Sequence, residues 1–190
     1  MRCLSCRKWS TYVICRACNE QLLVPTVSTR KVGSLDVVSL FRYRNIEPFL
    51  LSKYTPAGYR LFRYFGRRHI APFLEAFAEG LETPARIIAV DEQPVGGYSH
   101  TALLARHGAV PGLSPLHGVL RARNRVRYAG RSLQFRLENP RDFLYSGPSG
   151  IDAVLLDDIV TTGATLAEAH RLLRDKGVNV LFALTLADAR

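Results

Sequence analysis

The segment Val154-Leu-Leu-Asp-Asp-Ile-Val-Thr-Thr-Gly-Ala-Thr165 restricts the fold more than any other part of the chain. Ile151 to Leu156 is a short apolar run rich in branched side chains, the pattern of a strand buried on both faces. Two acids, Asp157 and Asp158, end it, and a small hydroxyl-rich turn follows. From Thr162 to Lys176 the apolar positions Leu166, Ala169, Leu172 and Leu173 recur at helical spacing, and Gly177 marks a stop. Val178 to Leu186 is a second apolar strand. Strand, helix and strand at this spacing predict a right-handed parallel βαβ unit. Arg86 to Val90 predicts another short strand, with a helix over Tyr98 to Arg106. Together these point to a doubly wound α/β sheet.

In an open parallel sheet, ligands bind beyond the carboxyl ends of the strands. The turn from Thr161 to Thr165 can aim backbone N–H groups at one anion, with the helix N-terminus adding partial positive charge. Gly163 lets the backbone come close, and the hydroxyls of Thr161, Thr162 and Thr165 add donors. Asp157 and Asp158 stand where they could accept hydrogen bonds from vicinal sugar hydroxyls or approach a hydrated Mg²⁺. A helix cap needs one polar residue, not two acids, three threonines and a glycine behind a buried strand.

These residues resemble the phosphoribosyl-pyrophosphate (PRPP) motif of type I phosphoribosyltransferases. The resemblance implies that Asp157 and Asp158 contact the ribose hydroxyls, while Thr161, Thr162, Gly163, Ala164 and Thr165 hold the 5-phosphate. It also implies Mg²⁺ bound with PRPP. Purine-salvage members carry an Asp, the proposed base, where this chain has Thr161, which argues against hypoxanthine or guanine as acceptor.

At the other end of the chain, Cys3, Cys6, Cys15 and Cys18 form C-x2-C-x8-C-x2-C. Two such pairs suit a tetrahedral four-thiolate zinc knuckle, with disulfides and an iron–sulfur cluster as the alternatives. Four thiolates leave no open position, so the zinc is structural rather than catalytic. Trp9, Tyr12 and Val13 lie in the link and are expected to cover the ion.

A four-cysteine knuckle followed by a PRPP motif resembles the ComF family of bacterial competence proteins. Phe41 to Tyr54, with Lys53, is similar to that family's aromatic-basic strand and following helix, and Arg136-Leu-Glu-Asn139 with Phe143 to its R-x-x-N-x-x-x-F stretch. The resemblance implies a zinc-binding module over residues 1–30 and a phosphoribosyltransferase-like domain over 31–190: a type I parallel sheet with flanking helices. It further implies a role in uptake of transforming DNA, with single-stranded DNA and competence-machinery proteins as partners. Val90, Asp91, Glu92 and Gln93 occupy the place of the pyrophosphate loop, and Gly96 stands where arginine is usual. Two acids beside a pyrophosphate require a metal ion or nearby cations to offset the repulsion. Arg121, Arg123, Arg125, Arg127 and Arg131, in a stretch that also holds Arg136 and Arg141, are the candidate cations; if the chain is extended there, the first four share one face.

The charge balance fits an anionic partner. Lys and Arg number 26 against 16 Asp and Glu, a net charge of +10, and only Lys8, Lys31, Lys53 and Lys176 are lysines. Arginine grips phosphate through a planar fork of donors. Arg60 to Arg68 interleaves cations with Phe62, Tyr64 and Phe65; on a helix Leu61, Phe62 and Phe65 are ordinary core, leaving the arginines at the surface. None of the five histidines has metal-ligand spacing with another, and His100 reads as a surface residue rather than a helix N-terminal donor. No uncharged apolar stretch reaches about 18 residues, and the N-terminus carries cysteines and cations rather than a signal peptide's apolar run, so no membrane insertion and a cytoplasmic location are expected. Two readings of function follow. One is a binding protein for DNA uptake that uses PRPP or a related ribose phosphate; the alternative is an active phosphoribosyltransferase on an unidentified small acceptor. No general base can be named from the sequence, which weakens the second.

Overall fold

The computed structural model describes residues 1–90, 97–124 and 139–190. After a cysteine-bearing N-terminal segment come α1 (Arg16–Leu22), β1 (Ser28–Val32), β2 (Leu35–Arg42), α2 (Tyr43–Leu50) and α3 (Pro56–Phe65). A π-helical turn (Gly66–Ile70) joins α3 to α4 (Ala71–Ala78). Then follow β3 (Ala85–Ala89), α5 (His100–Gly108), β4 (Leu113–Leu116), β5 (Leu120–Ala122), β6 (Phe143–Tyr145), β7 (Ile151–Val160), α6 (Ala164–Asp175) and β8 (Val178–Asp188).

The main sheet has the order β1-β2-β8-β7-β3-β4. β1 pairs antiparallel with β2 at one edge, and every other pairing is parallel. Strands buried on both faces carry continuous apolar runs, which is why β7 and β8 lack a polar alternation. Their side chains feed two cores. Val154, Leu156 and Leu184 join Phe49, Phe62, Phe65 and Leu104 from α2, α3 and α5 on one face. Ala153, Leu155 and Ala183 join Leu166, Ala169 and Leu173 of α6, and Phe143 and Tyr145 of β6, on the other. Full burial of each large side chain contributes about 1.5–3 kcal/mol, so Leu61, Phe62 and Phe65, nearly or fully buried, fasten α3 to the sheet. That is the core role expected for them. The N-terminal segment shares this core through Cys3, Ile14, Cys18 and Leu23. Among the described residues no helix is long and apolar enough to cross a membrane.

β7 runs four residues further than the apolar pattern indicated. It does not stop at Leu156 but carries Asp157 and Asp158 within it, because β8 continues alongside and pairs Asp157 with Thr185 and Val160 with Asp188. On its other side the ladder with β3 ends at Ala89 and Leu156. The two acids therefore sit where one neighbouring strand has left the sheet.

Two local signals start the helices that flank this place. Thr55 Oγ1 accepts from Gly58 N–H at 3.1 Å with Pro56 opening α3, and Ser99 Oγ accepts from Ala102 N–H at 3.1 Å at the head of α5.

Candidate functional site

β3 leads toward α5 on one face of the sheet, whereas β7 leads into α6 on the opposite face. A reversal of this kind opens a crevice at the carboxyl ends of adjacent parallel strands. Asp157 and Asp158 lie at this place, just past the last β3–β7 pair, 8% and 4% exposed. Asp158 turns toward the α2–α3 side, and its backbone N–H donates to Asp157 Oδ1 at 2.8 Å.

Asp158 is held by two cations or potential cations. Lys53 Nζ donates to Asp158 Oδ2 at 3.0 Å, and His100 Nε2 lies 3.3 Å from the same oxygen. Burial alone pushes the Asp158 carboxyl up, but the charges and hydrogen bonds of Lys53 and His100 outweigh it and hold the group well below the usual carboxylate range. Lys53 follows α2, and the Tyr98 hydroxyl reaches the carbonyl oxygens of Lys53 and Thr55 (3.0 Å to the latter), tying that connection to the approach to α5. His100 is not the surface residue expected. It is 3% exposed and packs edge-on against Phe62 at 5.3 Å and Tyr54 at 5.8 Å. As the first residue of α5 it is carried to the strand end by the helix N-cap, a placement that no local spacing reveals.

Beyond Val160 the chain turns through Thr161, Thr162 and Gly163 into α6. Gly163 adopts φ 86°, a left-handed conformation in which only glycine is unstrained. A Cβ there would also stand 2.6 Å from Val32 Cγ2 of β1. Thr162 is exposed, Thr161 and Thr165 half-buried, and Thr162 Oγ1 accepts from Ala164 N–H at 3.3 Å. No side chain at Gly163 caps α6, so the dipole end of a 12-residue helix faces this turn. Arg30 of β1 anchors the turn: its Nη2 donates to Thr161 O at 2.6 Å, and its Nε lies 3.1 Å from Asp188 Oδ2, off the hydrogen-bonding direction. Arg30 is 131 residues from Thr161, and only the pairing of β1 with β2, and β2 with β8, brings them together.

Val90 is buried, and its N–H donates to Leu156 O at 2.8 Å. Asp91, Glu92, Gln93 and Gly96 lie outside the described residues, as do Arg125, Arg127, Arg131 and Arg136. Leu120 and Ala122 of β5 face the core, leaving Arg121 on the exposed side of the strand, as alternation requires, and Arg123, just after the strand, is exposed too. Arg123 Nη2 is paired with Asp142 Oδ1 at 2.8 Å.

The four cysteines converge. Their Sγ atoms all lie within 4.8 Å of one another, and Cys6 and Cys15 are 3.7 Å apart. Tetrahedral zinc with bonds of about 2.3 Å sets sulfurs about 3.8 Å apart, so the cluster has the dimensions of a metal site. Cys3 Sγ accepts from the N–H groups of Ser5 at 3.4 Å and Cys15 at 3.3 Å. Burial pushes the Cys3 thiol up, yet backbone N–H groups of Cys15, Cys6 and Ser5 together prevail and bring it down to about 6, favouring the thiolate a metal needs. At Cys18 a hydrogen bond with Ser5 favours the thiolate, but burial and the other three sulfurs prevail and push it up to about 11, the repulsion a cation would relieve. Trp9 and Tyr12 do not cover the cluster as expected; they are 79% and 66% exposed, and Trp9 instead lies under the Arg2 guanidinium at 5.7 Å. Val13 packs against the core as the apolar link residue.

Among curated proteins, the adenine phosphoribosyltransferase of Polynucleobacter asymbioticus is 30% identical over 131 residues, 64% of this chain and 75% of that protein. The chain belongs to the phosphoribosyltransferase family. No family model matches it. Solved structures similar to it include an adenine phosphoribosyltransferase at 14% identity and TM-score 0.43, covering 90% of this chain and 88% of that one. The Saccharomyces cerevisiae adenine phosphoribosyltransferase aligns at 14% identity and TM-score 0.44 over the same shares. A hypoxanthine phosphoribosyltransferase from Staphylococcus aureus aligns at 17% identity and TM-score 0.42, covering 67% of this chain and 62% of that one. In this phosphoribosyltransferase chain an N-terminal four-cysteine cluster accompanies the acid pair on β7, and Lys53 and His100 both contact Asp158.

Proposed function

We propose that this phosphoribosyltransferase-family chain binds PRPP, or a related ribose 5-phosphate, at the crevice between β3 and β7. The observation that carries the reading is the coincidence of three features at one switch point. These are paired acids just past the end of the β3 ladder, a left-handed glycine turn and a helix N-terminus with glycine at its N-cap. Thr161 to Thr165 offer hydroxyls and N–H groups to the 5-phosphate, and Asp157 and Asp158 accept from the ribose hydroxyls. Since Lys53 and His100 already engage Asp158, sugar binding there exchanges or shares those contacts. Mg²⁺ bound with the pyrophosphate would offset its charge beside the 90–93 segment. The four cysteines hold structural zinc, which supports the N-terminal segment and takes no part in chemistry.

Transfer of the phosphoribosyl group to a small acceptor is the reaction this arrangement serves. Adenine is the first acceptor to try, given the curated relative. A second reading, a DNA-handling role with single-stranded DNA on a cytoplasmic face and competence proteins as partners, rests on the net charge of +10 and on exposed Arg60, Arg67 and Arg68. It requires log affinity for single strands to fall steeply with log salt.

Calorimetric titration of PRPP with Mg²⁺ into wild type and an Asp157→Asn, Asp158→Asn double variant tests the binding site. Saturable binding that the folded variant loses supports the reading. Wild-type affinity in the folded variant contradicts it.

A further inference from the structure

A cavity of about 670 Å³ lies at the seam between the N-terminal cysteine segment and α3 with its π-helical turn, and shares no lining residue with the β7–α6 site. One wall is formed by Arg60, Arg63, Tyr64, Arg67 and Arg68. These positions recur at helical spacing on one face, while Leu61, Phe62 and Phe65 occupy the buried face. The facing wall comes from the Tyr12–Ile14 stretch and Asn19, whose Oδ1 accepts from the Tyr64 hydroxyl and ties the two walls together.

The arginine wall is densely positive. Among the described residues, no carboxylate lies within ion-pair distance of Arg60, Arg63, Arg67 or Arg68. Glu20, the acid at the cavity, is taken by Arg16 at 2.7 Å. Like charges three and four residues apart on a helix repel. Two of the arginines are nevertheless held in place. Arg63 lies over the Tyr59 ring at 5.6 Å, and Arg67 Nε donates to His107 Nδ1 at 3.3 Å. Burial, and then the charges of Arg67, Arg63 and Arg106, push the His107 imidazole down, so the acceptor stays neutral in a positive field.

We infer that this cavity is a nucleoside polyphosphate site, separate from the ribose-phosphate crevice. Guanidinium groups on successive turns, about 5 Å apart along the axis, match successive phosphates, each taken by a planar fork of donors. The apolar side of the cavity, with Val13 and the rings of Tyr12 and Tyr64, suits a planar base. The volume falls within the range of small-molecule pockets. An inorganic anion would leave the apolar wall unused, and an uncharged ligand would leave four guanidinium charges side by side on one wall.

The test uses the full chain with ATP as probe, followed by calorimetry, against PRPP, inorganic tripolyphosphate and a dT oligonucleotide. Saturable ATP binding is expected, weakened about tenfold or more in an Arg60→Gln, Arg68→Gln variant that keeps the wild-type melting temperature and PRPP affinity. The Asp157→Asn, Asp158→Asn variant should keep ATP binding, so failure of the ribose-phosphate reading and failure of this one are told apart. The inference is overturned by absence of ATP binding, by unchanged affinity in the arginine variant, or by loss of ATP binding in the aspartate variant. Equal affinity for tripolyphosphate, or oligonucleotide binding that ATP does not compete, overturns it too. If the arginine variant fails to fold, Arg60→Gln alone, at an exposed position, carries the same comparison.

Discussion

Replacing Lys53 with methionine should expose how Asp158 is kept ionised in the crevice. At 3.0 Å, with an effective dielectric of about 20, the attraction between the two charges is about 5 kcal/mol before desolvation. The Lys53 side chain is 22% exposed and that of Asp158 6%, so solvent screens part of this. His100 remains at 3.3 Å to compensate further. Breaking a buried pair by removing one partner costs about 3–5 kcal/mol, and these two offsets reduce the expected loss to about 2 kcal/mol. Because Asp158 is depressed in the folded state, its contribution is present above its unfolded value and lost as pH falls through the folded one. The Lys53→Met variant should therefore show its deficit at neutral pH and converge toward wild type in acid. Urea denaturation of wild type, Lys53→Met, Asp158→Asn and the double variant gives the coupling energy directly. Additive single effects, with coupling below about 0.5 kcal/mol, would refute this account of the site.

Cys15→Ser should abolish stoichiometric metal binding and weaken the α1–α3 contact; metal analysis showing one ion retained at wild-type affinity would contradict the four-sulfur site. His69 is buried against Phe41, Tyr64 and Phe65, its Nε2 has no hydrogen-bonding partner among the described residues, and burial followed by the Arg68 charge lowers it to about 4. An unfolded histidine near 6.5 binds its proton first, so stability should fall by about 3 kcal/mol from pH 7 to pH 4, and His69→Phe should flatten that part of the profile. Gly163→Ala meets both the φ of 86° and Val32, and a loss of about 1–3 kcal/mol in melting experiments is expected; a neutral effect would mean the turn relaxes away from β1.

The strand, helix and strand around Asp157 and Asp158 were legible because buried parallel strands and an amphipathic helix each leave a local apolar signature. The same holds for the cysteine spacing, whose four sulfurs do converge. Local pattern fails where the determinant is a neighbour far along the chain. β7 continues past Leu156 because β8 continues beside it. Asp157 and Asp158 occupy an edge created by the early end of the β3 ladder. Lys53, His100 and Arg30 reach the site from three other parts of the chain; Lys53 stood out only through the resemblance of its stretch, and His100 and Arg30 look like ordinary polar residues in their own segments. Trp9 and Tyr12 were misjudged for a related reason: the knuckle's inner side is supplied by Ile14, Leu23 and the core it packs on, which leaves the ring side chains outside.

The central claim is that a ribose phosphate sits on the turn between β7 and α6. Backbone amide shifts recorded by NMR during titration with PRPP and Mg²⁺ locate the ligand without altering the protein. The largest saturable shifts are expected at Thr161, Thr162, Gly163, Ala164 and Thr165, with smaller ones at Asp157 and Asp158. Shifts confined to Arg60–Arg68, or no saturable shift at the turn, would contradict it.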